Sequence, residues 1–246
     1  MSPDAYLQMA ATEEEHWWFR GRRDVLRTVL LKLNLRSDAR ILEIGSGTGG
    51  NLNMLAEFGT VCGLEMDETA RHLAVQKTGR RFDIRAGRCP DELPFHGQRF
   101  DVVFFFDCLE HIADDVGSPE RMQKLLSTDG MVLVTVPACR WLWSAHDVFL
   151  HHHRRYSKPS LIACARAAGY KVEVISHFDT LLFPLAVIAR CFDKVFRRRA
   201  SSEDATPIQL MNSALYRIFK AECRWRSRRF FPFGVSLFAV LTRDVA

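Results

Sequence analysis

Tyrosine is scarce in this 246-residue chain, which has 4 Tyr against 18 Phe. None of its seven cysteines (Cys62, Cys89, Cys108, Cys139, Cys164, Cys191 and Cys223) forms a C-x-x-C pair. Scattered and odd in number, they read as free thiols in a reducing compartment, which excludes a disulfide-stapled scaffold. Apolar runs of the roughly 18 residues that a bilayer-crossing helix needs are missing. Met1-Ser2-Pro3-Asp4 carries neither the basic region nor the apolar stretch of a secretory leader. The expected location is therefore cytoplasmic, with peripheral contact at a membrane surface left open. A large charge excess is lacking too: 34 Lys+Arg against 29 Asp+Glu leave a formal net charge of +5. So mild a balance does not favour a dedicated nucleic-acid binder.

What is present suits a globular core, since 48% of residues are apolar and 26% charged, close to the usual averages. Residues 4–33 read as helical, with Val25, Leu26, Val29, Leu30 and Leu33 on one face. From residue 40, short apolar runs alternate with helical stretches. Strands are expected at 40–44, 60–64, 82–85, 101–106, 131–136, 171–176 and 235–242, with helices at 50–58, 68–77, 118–127 and 158–168. Runs apolar on both faces, separated by helices, indicate a parallel sheet covered on both sides. Further helices are expected at 180–196 and 208–228, divided by the polar stretch 197–207. The organisation expected is an N-terminal helical lid (1–37), a core (38–178), a helical insertion (179–231) and a last strand (232–246).

The sharpest local signal is Ile41-Leu42-Glu43-Ile44-Gly45-Ser46-Gly47-Thr48-Gly49-Gly50-Asn51. A buried strand runs into a glycine turn and then a helix, whose unpaired N–H groups can face a ligand. Gly45-x-Gly47-x-x-Gly50 matches the dinucleotide fingerprint, a weak signal alone. Glu43 lies within the strand, and Glu65 ends the next one, where a carboxylate can accept both ribose hydroxyls. Arg99-Phe100-Asp101-Val102-Val103-Phe104-Phe105-Phe106-Asp107-Cys108-Leu109-Glu110-His111 then forms a strand that ends in an acidic, His-bearing turn. Asp129-Gly130 precedes the strand after it.

As an ordered set, these residues resemble the class I S-adenosylmethionine-dependent methyltransferases, over roughly residues 38–176. His16-Trp17-Trp18-Phe19-Arg20-Gly21-Arg22-Arg23 and His153-Arg154-Arg155-Tyr156 are similar to a small-molecule subgroup of that family. The resemblance implies a Rossmann-like, doubly wound seven-stranded sheet with an antiparallel last strand, and S-adenosylmethionine as cofactor. It implies that Gly45, Gly47 and Gly49, flanked by Glu43 and Asn51, line the methionine and ribose portion. Glu65 would take the ribose hydroxyls, Met66 would pack on adenine, and the backbone near Phe106 and Asp107 would hold the methionine end. One segment departs from the family pattern. Gly-Asp-Ala is common before Leu-Pro-Phe, whereas this chain reads Gly87-Arg88-Cys89-Pro90-Asp91-Glu92-Leu93-Pro94-Phe95, with Arg88 at the acid's place.

Around this frame stand candidates for the acceptor side. His111 follows a strand end facing the expected cleft and can take a proton near neutral pH; His153 and Asp107 are further candidates. His16, Trp17, Trp18 and Arg20 would close over the cleft, and Arg155 and Tyr156 would border the acceptor. Arg22 and Arg23 read as a solvated helix face. His146-x4-His151 could place two metal ligands together, but no Cys or carboxylate completes a zinc pattern, so no metal is expected. The insertion, apolar from Leu181 to Phe196 and then basic at Arg197-Arg198-Arg199, reads as a cap over the acceptor cleft, or as an element lying in a membrane interface. Pro184 argues against a continuous helix through its start. The function expected is methyl transfer to an O or N atom of a small, hydrophobic or lipid-like metabolite. Two rivals remain: an NAD-dependent oxidoreductase, against which Glu43 and the Leu-Glu-His turn speak, and a non-catalytic cofactor-binding protein docked at a membrane.

Overall fold

The structure, a computed structural model, describes residues 3–196, 207–226 and 231–244. Two helices, α1 (Pro3–Thr12) and α2 (Trp17–Leu30), precede β1 (Arg40–Ile44). Then follow α3 (Leu52–Leu55), β2 (Thr60–Glu65), α4 (Glu68–Lys77), β3 (Asp83–Ala86), β4 (Phe100–Phe106) and α5 (Gly117–Met122). The chain continues through β5 (Leu126–Pro137), α6 (Ala145–Phe149), α7 (Lys158–Ala167) and β6 (Tyr170–Phe178). Last come α8 (Phe183–Phe196), α9 (Gln209–Arg226) and β7 (Ser236–Arg243).

The strands form one seven-stranded sheet in the order β3-β2-β1-β4-β5-β7-β6. Neighbours from β3 to β5 pair in parallel, while β7 runs antiparallel to both β5 and β6. This is the Rossmann-like methyltransferase sheet with its reversed last strand. Strand order turns around between β1 and β4, and in open α/β sheets the ligand crevice opens beyond the strand ends at such a switch point.

Alternation along β4 shows how the sheet is covered. Val103 and Phe105 join a core layer with Met122 of α5 and Leu161 of α7. Val102, Phe104 and Phe106 join the opposite layer, with Leu26 of α2, Leu52 of α3 and Phe219 of α9. Successive side chains of a strand point to opposite faces, so a run that is apolar throughout requires helices on both.

The N-terminal segment and α9 meet on the second face. Trp17 N–H donates to Asn212 Oδ1 at 2.8 Å, and the Tyr216 hydroxyl donates to Asp24 Oδ2 at 2.8 Å. Gly21 of α2 fits against the Phe219 ring so closely that a Cβ there would overlap it. The second helix of the insertion thus packs on the N-terminal segment. Pro184 falls in the first turn of α8, where its missing N–H breaks no helical bond, so the helix starts around it instead of stopping. The polar stretch, including Arg197, Arg198 and Arg199, lies outside the described residues up to position 206.

Candidate functional site

The glycine turn after β1 is shaped by positive φ angles, +68° at Gly45, +54° at Gly47 and +81° at Gly49. A Cβ at Gly45 would strike Cys108 Sγ just beyond β4, whereas at Gly47 it would meet nothing within 4 Å. The turn therefore presses on the β4 end at one residue and leaves open space at the next. Gly47 N–H donates to Glu65 Oε2 at 2.8 Å, and Asp67 N–H donates to Glu65 Oε1 at 2.8 Å. A carboxylate has about four acceptor positions, so these two bonds leave Glu65 further acceptor capacity. Burial pushes its pKa up, against the pull of those backbone donors. Met66 beside it is 64% exposed, an apolar side chain open to a flat ring.

Beneath the turn runs a chain of buried polar groups. Asn51 Nδ2 donates to Glu43 Oε1 at 2.7 Å, and Arg22 Nη2 donates to Asn51 Oδ1 at 3.1 Å. Arg22 Nη1 ends the chain in an ion pair with Asp107. Among the described residues, three side-chain atoms here have no hydrogen-bond partner: Glu43 Oε2, Ser46 Oγ and Arg22 Nε. Burial pushes the Glu43 carboxyl up to about 8, although Asn51 and Arg22 oppose the shift. Orphaned buried polar atoms are costly, and at a glycine turn they mark groups aimed at a ligand.

The N-terminal segment crosses this site. Glu13 Oε1 accepts from Thr48 Oγ1 at 2.5 Å and from Lys77 Nζ at 2.6 Å, while its other oxygen stands where a Gly50 side chain would be. Tyr6 of α1 is held above the ordinary phenol range by burial, and then by the negative charges of Glu65 and Asp67.

The remaining predicted residues divide between two sides. His16 caps α2, its Nδ1 accepting from Trp18 N–H at 3.3 Å. Trp17 turns toward Phe219, with ring centroids 6.0 Å apart. Trp18 lies under the Arg22 guanidinium, 5.0 Å from the ring centroid, and so borders the polar chain. Arg20 stacks on Tyr216 of α9 at 4.0 Å. Phe106 is buried in the sheet. Arg88 is half-exposed, with Asp91 3.9 Å away.

On the side where the sequence places the acceptor, the loop after β5 folds back onto the turn after β4. Asp147 accepts from Arg155 Nε at 2.6 Å and Ser144 N–H at 2.9 Å, and its Oδ1 lies 3.0 Å from His152 Nδ1. These donors hold its carboxyl well below the ordinary range despite burial. Arg155 also donates to the Ala138 carbonyl at 3.0 Å, and the Tyr156 hydroxyl donates to Asp115 Oδ2 at 2.7 Å. The bonds these two residues make are internal and brace the loop. His153 is exposed, its N–H donating to the Glu110 carbonyl at 2.8 Å. His111 packs edge-on to His152 with ring centroids 4.7 Å apart. Burial, with His152 next to it, pushes the His111 imidazole down to about 3.

A family model described as a methyltransferase domain matches residues 17–175. The chain belongs to the class I S-adenosylmethionine-dependent methyltransferases. It is 32% identical over 164 residues to a protein of Mycolicibacterium smegmatis named a probable S-adenosylmethionine-dependent methyltransferase, covering 65% of this chain and 62% of that one. It is 34% identical over 101 residues to phosphoethanolamine N-methyltransferase 2 of Caenorhabditis elegans, covering 39% of this chain and 23% of that one. The chain thus spans less than two thirds of the length of these relatives. Among solved structures, a methyltransferase in complex with the Trm112 methyltransferase activator of Haloferax volcanii superposes with a TM-score of 0.65 at 18% identity, covering 100% of this chain and 99% of that one. Phosphoethanolamine N-methyltransferase 2 of Haemonchus contortus, solved with S-adenosylmethionine, gives 0.59 at 19%, covering 89% and 52%.

Several residues of this methyltransferase site were not assigned to it from the sequence. Arg22 reads as solvated in isolation, yet Arg22, Val25, Leu26 and Val29 share one helix face by their spacing, and all four are buried. Asp147 stands three residues after Ser144, a spacing that signals a helix cap, and the capping box is present. The carboxylate of Glu13 and the phenol of Tyr6 carry no local signal of their long-range partners.

Proposed function

We propose that this methyltransferase moves the methyl group of S-adenosylmethionine to an oxygen or nitrogen of a small, hydrophobic or lipid-like metabolite. The observation that carries the reading is Glu65, which braces the glycine turn through Gly47 N–H while keeping acceptor capacity for two hydroxyls. Gly45, Gly47 and Gly49 would border the methionine and ribose portion, Met66 the adenine, and the Phe106–Asp107 backbone the methionine end. Arg22 would offer its unpaired Nε to a carboxylate, and Glu43 its unpaired Oε2 to an ammonium group. When bound, the cofactor supplies a sulfonium methyl that is already reactive. The chain's own task is then alignment and exclusion of water. Glu13, Tyr6 and Trp18 close the turn from the N-terminal side. His111 stands at the acceptor side, while Asp107 is neutralised by Arg22 and orients the strand end.

Exposed apolar side chains support an oily acceptor. Trp141, Leu185, Ile188 and Phe233 are all exposed. Phe183 links Trp141 and Phe233, with ring centroids 6.0 and 5.5 Å away. Among the described residues no helix is long and apolar enough to cross a membrane. The same patch suits the second reading, peripheral contact between the insertion and a lipid surface. Incubating the chain with methyl-labelled cofactor and lipid or polar metabolite extracts tests both class and substrate. Label in an apolar product supports the proposal; label in polar products alone removes the oily acceptor. Cofactor binding without transfer to either extract would favour a non-catalytic role. The [4+2]-cyclase SpnF, which shares the fold at a TM-score of 0.59 and 15% identity, shows that the fold does not by itself fix the chemistry.

A further inference from the structure

Two segments remote in sequence bring three donors together beside Asp107. One oxygen of Glu110 and one ring nitrogen each of His111 and His152 all lie within 4.8 Å of one another. Glu110 is 1% exposed, and among the described residues its Oε2 has no hydrogen-bond partner. The guanidiniums of Arg22 and Arg155 favour its charge through space, but their ion pairs are with Asp107 and Asp147. A buried carboxylate oxygen left alone in this way costs several kcal/mol unless a cation or proton meets it.

One imidazole is already oriented from behind. His152 faces Asp147 through Nδ1 at 3.0 Å, which leaves Nε2 for the cluster. The His111 ring stands edge-on to that of His152, with centroids 4.7 Å apart. Asp147 is fixed in turn by Arg155 and by the Ser144 N–H. A carboxylate behind a histidine is the usual second support of a metal-binding imidazole, because it fixes the tautomer and aims the lone pair.

We propose that Glu110, His111 and His152 bind one divalent transition-metal ion, zinc being the best match. Two imidazole nitrogens and one carboxylate oxygen are the donor set of zinc sites that keep a fourth position open. Magnesium and calcium ask for more oxygens than this cluster offers. Around a tetrahedral ion the donors would stand roughly 3.4 Å apart, a contraction that small side-chain rotations supply. The histidine pair that spacing suggests, His146 and His151, is not the pair that meets; His111 and His152 do.

This deepens the methyltransferase reading and rests on it for the role of the ion. An acceptor hydroxyl on the open position would lose its proton to solvent more readily. Its oxygen then forms the O–CH3 bond as the S–CH3 bond breaks, and the electron pair of that bond stays on sulfur. The site therefore selects an oxygen acceptor.

The test is zinc titration of chelator-treated full chain by calorimetry, with metal content measured on the same samples. One equivalent per chain is expected. Glu110→Gln and His152→Ala should each weaken zinc at least tenfold, and His72→Ala, an exposed histidine of α4, should leave zinc affinity unchanged. Thermal melts and S-adenosylmethionine binding on every variant separate loss of the site from loss of the fold. A folded, cofactor-binding wild type that takes up no zinc overturns the proposal, and so do Glu110 and His152 variants with unaltered zinc affinity. Zinc bound as expected with no methyl transfer to any acceptor would uphold the site and remove the methyltransferase role instead.

Discussion

Arg22 of α2 forms an ion pair with Asp107 at the end of β4, and so ties the N-terminal helix to the strand that flanks the switch point. The same guanidinium reaches Asn51, and through it Glu43. Arg22→Ala is expected to lower unfolding stability by about 3 kcal/mol, since it strands a carboxylate that is largely removed from water. Arg22→Lys keeps the charge but not the fork that spans two partners, and should fall between. Urea denaturation reads both, and a loss in Ala below about 0.5 kcal/mol would reduce the pair to a surface contact.

Glu65→Ala should weaken S-adenosylmethionine by about 1–3 kcal/mol, the worth of charge-assisted hydrogen bonds. Glu65→Gln should recover part of this, because its one amide oxygen can still accept. Calorimetric affinities equal to wild type would dissociate Glu65 from the cofactor.

Gly21 reverses an ordinary expectation. Alanine normally stabilises a helix interior over glycine by about 1 kcal/mol. Here the added methyl would overlap Phe219, including the root of its side chain. Gly21→Ala should therefore destabilise by about 1–3 kcal/mol as an overpacked core. A melting temperature raised by the substitution would mean that α9 yields freely.

Asp179 is buried with one oxygen unpartnered among the described residues, and burial together with the Glu222 charge pushes its carboxyl up to about 8. The folded state thus holds a proton that the unfolded chain releases near the usual carboxylate value. Stability contributed by the group is full below that value and declines as pH rises toward about 8. Asp179→Asn keeps the shape, and asparagine tolerates the left-handed backbone there, φ +57°. The variant should match wild type at about pH 3.5 and exceed it by ~3–5 kcal/mol at about pH 8. Parallel denaturation curves at both pH values would refute this.

Much of the fold was legible because its signals are local. The apolar run of β4 needs cover on two faces whatever follows, and the turn after β1 needs glycine where φ is positive. The seven strands and the main helices accordingly stand where the sequence suggests. The glycine turn and Glu65, proposed as the cofactor side of the site, were legible for the same reason, since Gly45 to Asn51 and Glu65 belong to contiguous motifs. What escaped is pairwise. Nothing near Arg22 announces Asp107, and nothing near His111 announces His152, because only the return of the loop after β5 brings them together. Adjacent His151, His152 and His153 look equivalent in sequence, yet His151 adopts φ +57° at the end of a helical turn, and only His152 turns inward to Asp147.

Glu13 gives the first turns of the chain a role in timing. Its carboxylate binds Thr48 of the glycine turn and Lys77 of α4 together, so the N-terminal helix is latched on the very loop a nucleoside must pass. Release of that latch is expected to accompany exchange of spent for fresh cofactor, with its strength setting a dwell time. Glu13→Gln should shorten this dwell, which stopped-flow release of a fluorescent cofactor analogue would register as a faster off-rate.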